Sequence, residues 1–178
     1  MLSSILLAAC GGGSDSSSEN NGGNNGGGGS TQKVEIPVTA IDGYLQNALA
    51  FVDVNGNGEF DDGEPSATTG ASGFATIDAT GAGLTLENTQ VIIIASEGTI
   101  DEATITDENP TGTPLTQEQA FELITLPGSH IATPISTLVA LHSSVNGDFE
   151  ASKNLVAEQL GLDVDDLDSD FIANQDAV

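Results

Sequence analysis

Basic residues are almost absent from this sequence. Two lysines, Lys33 and Lys153, and no arginine stand against 27 acidic residues, which gives a formal net charge of -25 at pH 7. A surface this negative repels the phosphates of nucleic acids, so nucleic acid is excluded as a partner. The same scarcity excludes a P-loop, an arginine finger and a serine–lysine nucleophile pair. An excess of carboxylates suits a salty, calcium-containing external medium, where dissolved ions screen the self-repulsion.

Cysteine and aromatic residues are also scarce. The only cysteine, Cys10, cannot form an internal disulfide, so packing or a bound metal has to stabilise the chain. Tryptophan is absent and there is one tyrosine, which leaves few rings to stack on sugars and disfavours a carbohydrate-binding module. The two histidines, His130 and His142, form no zinc pattern, and no catalytic triad or nucleophile elbow is present. We therefore expect no enzyme.

The most specific motif is the stretch Asp53–Glu64. Oxygen-bearing side chains stand at positions 1, 3, 5 and 9 of this stretch, glycine at 6 and glutamate at 12, which is the EF-hand spacing. Calcium prefers six to eight oxygen ligands, and Gly58 permits the sharp turn that such a loop needs. The predicted Ca²⁺ ligands are Asp53, Asn55, Asn57, Glu59 through its backbone carbonyl, Asp61 directly or through water, and Glu64.

A plain polar hairpin is the alternative interpretation of this stretch, because Asn-Gly pairs are strong turn signals by themselves. Pro65 directly follows Glu64 and biases it away from helical angles, so the exiting helix of an EF-hand is not expected. On the entering side Leu45, Leu49 and Val52 also fit a helical period, but the shortness of segment 48–52 favours a strand. The sequence therefore predicts strand, loop, strand, with Phe60 anchoring the loop to the core.

Short apolar segments predict further strands along the chain. Alternating Val34, Ile36 and Val38 indicate a first, half-buried strand. The uninterrupted run 91–95 favours a central strand covered on both faces, and 121–126 fits either a strand or the end of a helix begun at Thr116. The remaining predicted strands are 41–45 and 48–52, and 66–69 with 74–78, the last two joined as a hairpin by the turn 70–73.

Helices are predicted in the last third of the chain. Thr133 is a good N-cap with Pro134 in the first helical position, and Asp148 caps a second helix that stops at Gly161. The apolar faces predicted for the two helices are Ile135, Leu138, Val139 and His142, then Leu155, Val156 and Leu160. The acidic segment 163–170 is expected to be a solvated turn, because Phe171 stands where a second calcium loop would need glycine.

The N-terminal segment, residues 1–9, is a short, mostly apolar run too short to span a bilayer as a helix. Together with Cys10 its end resembles the lipobox of bacterial lipoproteins, although the usual basic residues ahead of the run are missing. The resemblance implies cleavage before Cys10 and acylation of its thiol, and Gly11 resembles the outer-membrane sorting pattern of Gram-negative bacteria. Residues 10–31, rich in Gly, Ser and Asn, are predicted to be a disordered tether.

Several segments together form a pattern shared with a known family: Gly43–Leu45, Ala48, Asp53–Pro65, Thr68–Thr69, Gly73–Phe74 and Thr133–Val139. Through these segments the chain resembles modules of acidic cell-surface lipoproteins and adhesin-like proteins of marine Gram-negative bacteria, over roughly residues 33 to 170. The sheet part resembles the prealbumin-like sandwich of carboxypeptidase-regulatory and serine-aspartate-repeat B domains. The resemblance implies an extracellular, calcium-stabilised module and no reaction.

The predicted fold is therefore mainly β, a prealbumin-like β-sandwich over residues 32–128 followed by a small helical appendage over 129–178. The predicted function is a lipid-anchored structural or adhesive module at the bacterial surface, in the outer membrane, whose partners are the membrane and a surface polysaccharide or protein. Two alternatives remain open at this point: an accessory domain of a secreted enzyme whose catalytic part is absent, and a carbohydrate-binding module.

Overall fold

The structure is a computed structural model that describes residues 33–85, 87 and 89–174. These residues belong to one compact unit, Thr31–Val178. The predicted signal segment 1–9, Cys10 and the predicted tether 10–31 lie outside the described residues. In the described part, no helix is both long enough and apolar enough to cross a membrane.

The described residues form nine strands, two α-helices and several short 3-10 turns. The strands are β1 (Glu35–Ala40), β2 (Leu45–Gln46), β3 (Leu49–Phe51), β4 (Ser66–Thr68), β5 (Phe74–Asp78), β6 (Ile92–Ala95), β7 (Ile100–Asp101), β8 (Phe121–Thr125) and β9 (Ile131–Thr133). The helices are α1 (Pro134–Asn146) and α2 (Phe149–Leu160). The predicted mainly β fold with two helices after it is confirmed.

Seven of these strands form a single, nearly closed sheet in the order β4-β3-β6-β8-β9-β1-β5. Neighbouring strands are antiparallel except β9 and β1, which are parallel. Strands β2 and β7 form a separate two-stranded ladder. The hydrogen-bonded strands thus make one barrel-like sheet.

Strand alternation builds the core as the sequence predicts. In β1, Ile36, Val38 and Ala40 are buried while the residues between them are more accessible. On the neighbouring strand β5, Ala75 and Ile77 are buried, and they pair directly with Val38 and Ile36. The interior is filled by aliphatic side chains, as expected for a chain with so few aromatic residues.

The predicted hairpin between 66–69 and 74–78 is wrong. Strand β4 pairs with β3, and β5 pairs with β1, so the two strands lie at opposite ends of the sheet order. The turn between them contains Ser72 and Gly73 in left-handed conformation, and a Cβ at Gly73 would collide with the carbonyl of Ala40. The connection is therefore held tightly against β1, where β5 forms a ladder of five residue pairs.

Three further strand predictions are settled by the structure. Segment 41–45 is mostly a tight turn, bridged by Ile41 and Tyr44, with strand structure beginning only at Leu45. Segment 91–95 contains the central strand β6, in which Ile93 is fully buried, as predicted. Segment 121–126 is the strand β8 and not a helix, since the preceding helical turn ends after Gln117–Gln119.

Both helix starts are confirmed at atomic detail. Thr133 Oγ1 accepts a hydrogen bond from the Ser136 backbone N at 3.0 Å, with Pro134 in the first turn. Asp148 Oδ1 accepts from the Ala151 backbone N at 2.9 Å, and α2 ends at Gly161 in left-handed conformation, as predicted.

The predicted apolar faces of the helices are partly right. Val139 and Val156 are buried as predicted, whereas Leu138 is 46% exposed and Leu155 and Leu160 also lie at the surface. The other buried positions are small residues that the sequence did not indicate: Ser136 and Ala140 in α1, and Ser152 and Ala157 in α2. Small residues line the buried face because α1 lies close to β8, where Ser136 Oγ donates to the Ile124 carbonyl at 2.7 Å.

The segment 129–178, predicted as a helical tail, also supplies a strand to the sheet. Strand β9 lies between β8 and β1, and α1 begins directly after it, at Pro134. A second apolar cluster joins α1, α2 and the end of β8; its buried members are Leu126, Val139, Val156, Ala157 and Leu167. The helices are thus packed into the same unit as the sheet.

Candidate metal loop

The predicted calcium stretch Asp53–Glu64 connects two neighbouring strands. Phe51 of β3 pairs with Ser66 of β4, and the Val52 backbone N donates to the Pro65 carbonyl at 2.9 Å. The ladder therefore continues to the base of the loop on both sides. The prediction of strand, loop, strand is confirmed, and the loop is held at a fixed place on the sheet.

Asp53 organises the first half of the loop. Its Oδ1 accepts from the backbone N of Gly56 at 2.6 Å and of Asn57 at 3.2 Å, and its Oδ2 accepts from the backbone N of Gly58 at 2.6 Å. These three N–H groups converge on one carboxylate because Gly56 and Gly58 have φ of +77° and +78°. Residues with a side chain rarely adopt such positive φ angles, which accounts for glycine at both positions.

Asn55 and Asn57 repeat one arrangement. In each, the side-chain Oδ1 accepts a hydrogen bond from the backbone N two residues later. The Asn57 N donates to Asn55 Oδ1 at 2.9 Å, and the Glu59 N donates to Asn57 Oδ1 at 2.8 Å. In each, Nδ2 donates to Asp61 Oδ2 at 2.7 Å. The two amides are therefore held side by side across one carboxylate.

Glu64 closes the loop. Its Oε1 accepts from the Val54 backbone N at 2.8 Å, and its Oε2 accepts from the Asp61 backbone N at 3.0 Å. A residue at the end of the loop is thereby tied to its second residue and to its ninth. The structure brings the side chains of Asp53, Asn55, Asn57, Asp61 and Glu64 into one hydrogen-bonded network. Glu59 takes part through its backbone N–H group, and not through the carbonyl predicted as a ligand.

The chemistry of this donor set fits calcium. The side chains that converge offer carboxylate and amide oxygens, and an amide oxygen that accepts one hydrogen bond keeps a second lone pair for a cation. Among the described residues, no group of three or more His, Cys, Asp or Glu side chains is placed to hold a metal ion. A calcium ion here has to draw on the amides of Asn55 and Asn57 and on the Glu59 backbone carbonyl as well.

Phe60 attaches the loop to the sheet. Its ring lies edge-on to that of the buried Phe51, with ring centroids 5.4 Å apart and planes at 66°. Phe60 remains 39% exposed, so it covers the end of the core without entering it. The predicted anchoring contact is present.

The other candidate residues have structural partners. His142 Nδ1 lies 2.8 Å from Ser152 Oγ, which ties α1 to α2. Asp170, in the acidic segment 163–170, accepts from Tyr44 O–H at 3.0 and 3.2 Å and from the backbone N of Ala173 at 2.9 Å. Sequence spacing gives no signal for the Tyr44–Asp170 contact, because the two residues are far apart in the chain.

A surface cleft beside the loop also escapes sequence reasoning. Its volume is about 540 Å³, and it lies between the loop, the β6 and β8 strands and α1. The polar wall includes Asp53 and Asn57, and the apolar wall includes Ile92, Ile124 and Leu141. These residues come from four separate elements, so only the tertiary fold brings them together.

No protein-family model, no curated protein and no solved structure matches this chain. The functional argument therefore depends on the geometry of the loop and on the chemistry of the sequence.

Proposed function

We propose that this protein is a lipid-anchored, calcium-stabilised structural or adhesive module at the outer surface of a bacterium. The observation that carries the proposal is the hydrogen-bonded network of Asp53, Asn55, Asn57, Asp61 and Glu64, which gathers these oxygen-bearing side chains in one loop mounted on a β-hairpin. The net charge of -25 supports it, because such a chain gains from a bound cation and from a salty medium. We propose a structural role and no reaction.

In this proposal Asp53, Asn55, Asn57, Glu59, Asp61 and Glu64 hold the ion. Calcium supplies positive charge that offsets the repulsion among carboxylates crowded into one turn. The chain's own residues supply the rest: Asp53 and Glu64 fix the loop backbone, and Phe60 fixes the loop to the sheet. The ion acts as a permanent staple between β3 and β4.

The anchor half of the proposal is tested in cells. A protein expressed with a full signal sequence should incorporate labelled palmitate, and Cys10→Ser should abolish the label and release the protein into the soluble fraction. Protease added to intact cells should digest the protein, and calcium should slow that digestion. Membrane association that survives Cys10→Ser, or a protein shielded from external protease, contradicts the proposal.

The rival functions predict other outcomes. A carbohydrate-binding module should bind glycans tightly and in a calcium-dependent manner on an array, whereas a structural module should not. An accessory domain should remain part of a longer secreted enzyme when the natural gene product is isolated.

We also propose that the barrel-like sheet is a variant of the prealbumin-like sandwich. Two features support this relationship. The hairpin β3–β4, which carries the proposed calcium loop, lies at one edge of the sheet, and the interior is aliphatic. Contacts between strands measured by NMR in solution test it, since a sandwich requires the seven strands to divide into two facing layers.

A further inference from the structure

We propose that Asn55 and Asn57 undergo intramolecular deamidation within the loop, and that bound calcium suppresses it. Each asparagine is followed directly by glycine, so no side chain shields the backbone nitrogen that would attack the asparagine amide. Asn55, Gly56, Asn57 and Gly58 are all exposed, and no atom lies within 4 Å of the place where a Cβ would stand on either glycine. Water therefore reaches both sites.

The reaction needs no oxidant, reductant or cofactor. The Gly56 nitrogen loses its proton and attacks Cγ of Asn55, so that a new N–C bond forms. The proton is passed through water to Nδ2, the Cγ–Nδ2 bond breaks, and Nδ2 departs as ammonia, which leaves a five-membered succinimide ring in the chain. Water then opens the ring at either carbonyl and yields aspartate or isoaspartate. The balance is one asparagine and one water giving one acidic residue and one ammonia, and Gly58 attacks Asn57 in the same way.

The loop places a base on both attacking nitrogens. Asp53 Oδ1 lies 2.6 Å from the Gly56 nitrogen, and Asp53 Oδ2 lies 2.6 Å from the Gly58 nitrogen. A backbone nitrogen has to lose its proton to become a nucleophile, and a carboxylate at hydrogen-bond distance is positioned to accept that proton. One side chain, Asp53, thus serves both reactions.

The loop also holds both leaving nitrogens. Nδ2 of Asn55 and Nδ2 of Asn57 each lie 2.7 Å from Asp61 Oδ2. This contact restricts the two amides to neighbouring positions while Asp53 holds the nucleophiles. Attacking and departing atoms are therefore both in contact with carboxylates.

The chain contains its own control in Asn146 and Gly147, the same dipeptide at the end of α1. There the Gly147 nitrogen donates to the Ser143 carbonyl at 2.7 Å. A peptide carbonyl is too weak a base to take a proton from this nitrogen at neutral pH. The Asn146 amide donates to the His142 carbonyl at 2.9 Å. The dipeptide is identical, but the attacking Gly147 nitrogen is bonded to a carbonyl in the helix cap and not to a carboxylate, and within this dipeptide the His142 ring contacts only the Asn146 amide.

The calcium part of this inference depends on the proposed function. An ion held by Asp53 and by the oxygens of Asn55 and Asn57 prevents Asp53 from accepting a proton and fixes both amides. Deamidation to aspartate then adds a charged ligand at position 3 or 5 of the loop, whereas isoaspartate lengthens the backbone and disturbs the loop. A loop kept without calcium would change chemically with time, and a loaded loop would not.

The test is a time course on the purified full chain, in EDTA and in excess calcium, with peptide mass spectrometry that separates asparagine, aspartate and isoaspartate. In EDTA, Asn55 and Asn57 should deamidate at least about tenfold faster than Asn146, and excess calcium should slow their deamidation about tenfold. A tenfold change in rate corresponds to about 1.4 kcal/mol in the activation barrier. Asn21 and Asn25, which also precede glycine, should respond to neither calcium nor the variant below.

Asp53→Asn separates a base from a purely structural residue. If Asp53 takes the proton, Asp53→Asn should slow deamidation of Asn55 and Asn57 in EDTA by on the order of tenfold or more, because a positioned base contributes about 10² to 10⁴ in rate. A purely structural role predicts acceleration, since the loop loosens.

Rates in EDTA equal to that of Asn146, or acceleration in Asp53→Asn, overturn the inference. Fast deamidation in EDTA that calcium does not slow overturns calcium suppression and counts against the proposed metal loop. The two failures are therefore distinguishable.

Discussion

Ser136 should be one of the most sensitive polar positions in the fold. Its side chain is fully buried; Oγ accepts from the Thr133 backbone N at 2.8 Å and donates to the Ile124 carbonyl at 2.7 Å. Ser136→Ala leaves a buried N–H group without its acceptor, which costs about 1–3 kcal/mol, and removes a hydrogen bond worth about 0.5–1.5 kcal/mol. We expect a loss of about 2–4 kcal/mol.

Thermal and urea unfolding, followed by circular dichroism, measure this loss. At roughly 2–4 °C per kcal/mol for a domain of this size, the melting temperature should fall by roughly 4–16 °C. Ser144→Ala is the matched control, because Ser144 is exposed and bonds only within its own helix, to Leu141. The control should stay within about 0.5 kcal/mol of the parent. Equal stability of the two variants would refute the view that α1 is bonded into the sheet.

Three further changes test other parts of the account. Gly73→Ala should destabilise the fold by about 2 kcal/mol or more, because it adds a Cβ against the Ala40 carbonyl at a position with left-handed backbone. Gly70→Ala is the control and should be nearly neutral in the same melts, because Gly70 has extended backbone and space for a Cβ. Partial desolvation, with a smaller contribution from the Asp101 carboxylate, raises the pKa of Asp42, although the residue is exposed. The folded state therefore binds this proton more tightly than the unfolded state, and stability should fall by a small, solvent-screened amount as pH rises from the ordinary aspartate pKa through the raised one. Asp42→Asn should flatten that part of the pH profile and raise stability at neutral pH; an unchanged profile contradicts the assignment.

Local features of this fold could be predicted from sequence because they depend on residues close together in the chain. The loop was predictable because its turns need glycine at Gly56 and Gly58, and its oxygens follow the spacing from Asp53 to Glu64. The N-caps Thr133 and Asp148 were predictable for the same reason, since each bonds to a backbone N three residues later.

The strand order could not be predicted in this way, because it depends on contacts between distant segments. The turn at Ser72 and Gly73 looks like a hairpin turn in sequence, but β5 pairs with β1 over five residue pairs and does not pair with β4. The sequence around β9 gives no signal that this strand pairs in parallel with β1. The helix faces were predicted only in part: Val139 is buried as expected, but close packing of α1 places the small Ser136, and not the larger Leu138, on the buried side.

The central claim is that the loop binds calcium. In this proposal Asp53 and Glu64 would be the charged ligands, Asp61 would act directly or through water, and Asn55 and Asn57 are neutral. A site with so little charge should bind with a dissociation constant on the order of 10⁻⁴ to 10⁻³ M, the range of extracellular modules. At about 10 mM calcium, linkage then gives about 1.4 to 2.7 kcal/mol of stabilisation. That is a large share of the roughly 5–15 kcal/mol that separates most folded domains from unfolding.

Thermal unfolding of residues 32–178, freshly purified, as a function of calcium concentration tests this claim most directly. The melting temperature should rise with calcium and respond much less to magnesium, and Asp53→Ala and Glu64→Gln should each lose the calcium response. Asp107→Asn, an exposed carboxylate outside the loop, should keep it. If the parent melts at the same temperature in EDTA and in excess calcium, the stretch Asp53–Glu64 is only a polar hairpin and the account is contradicted.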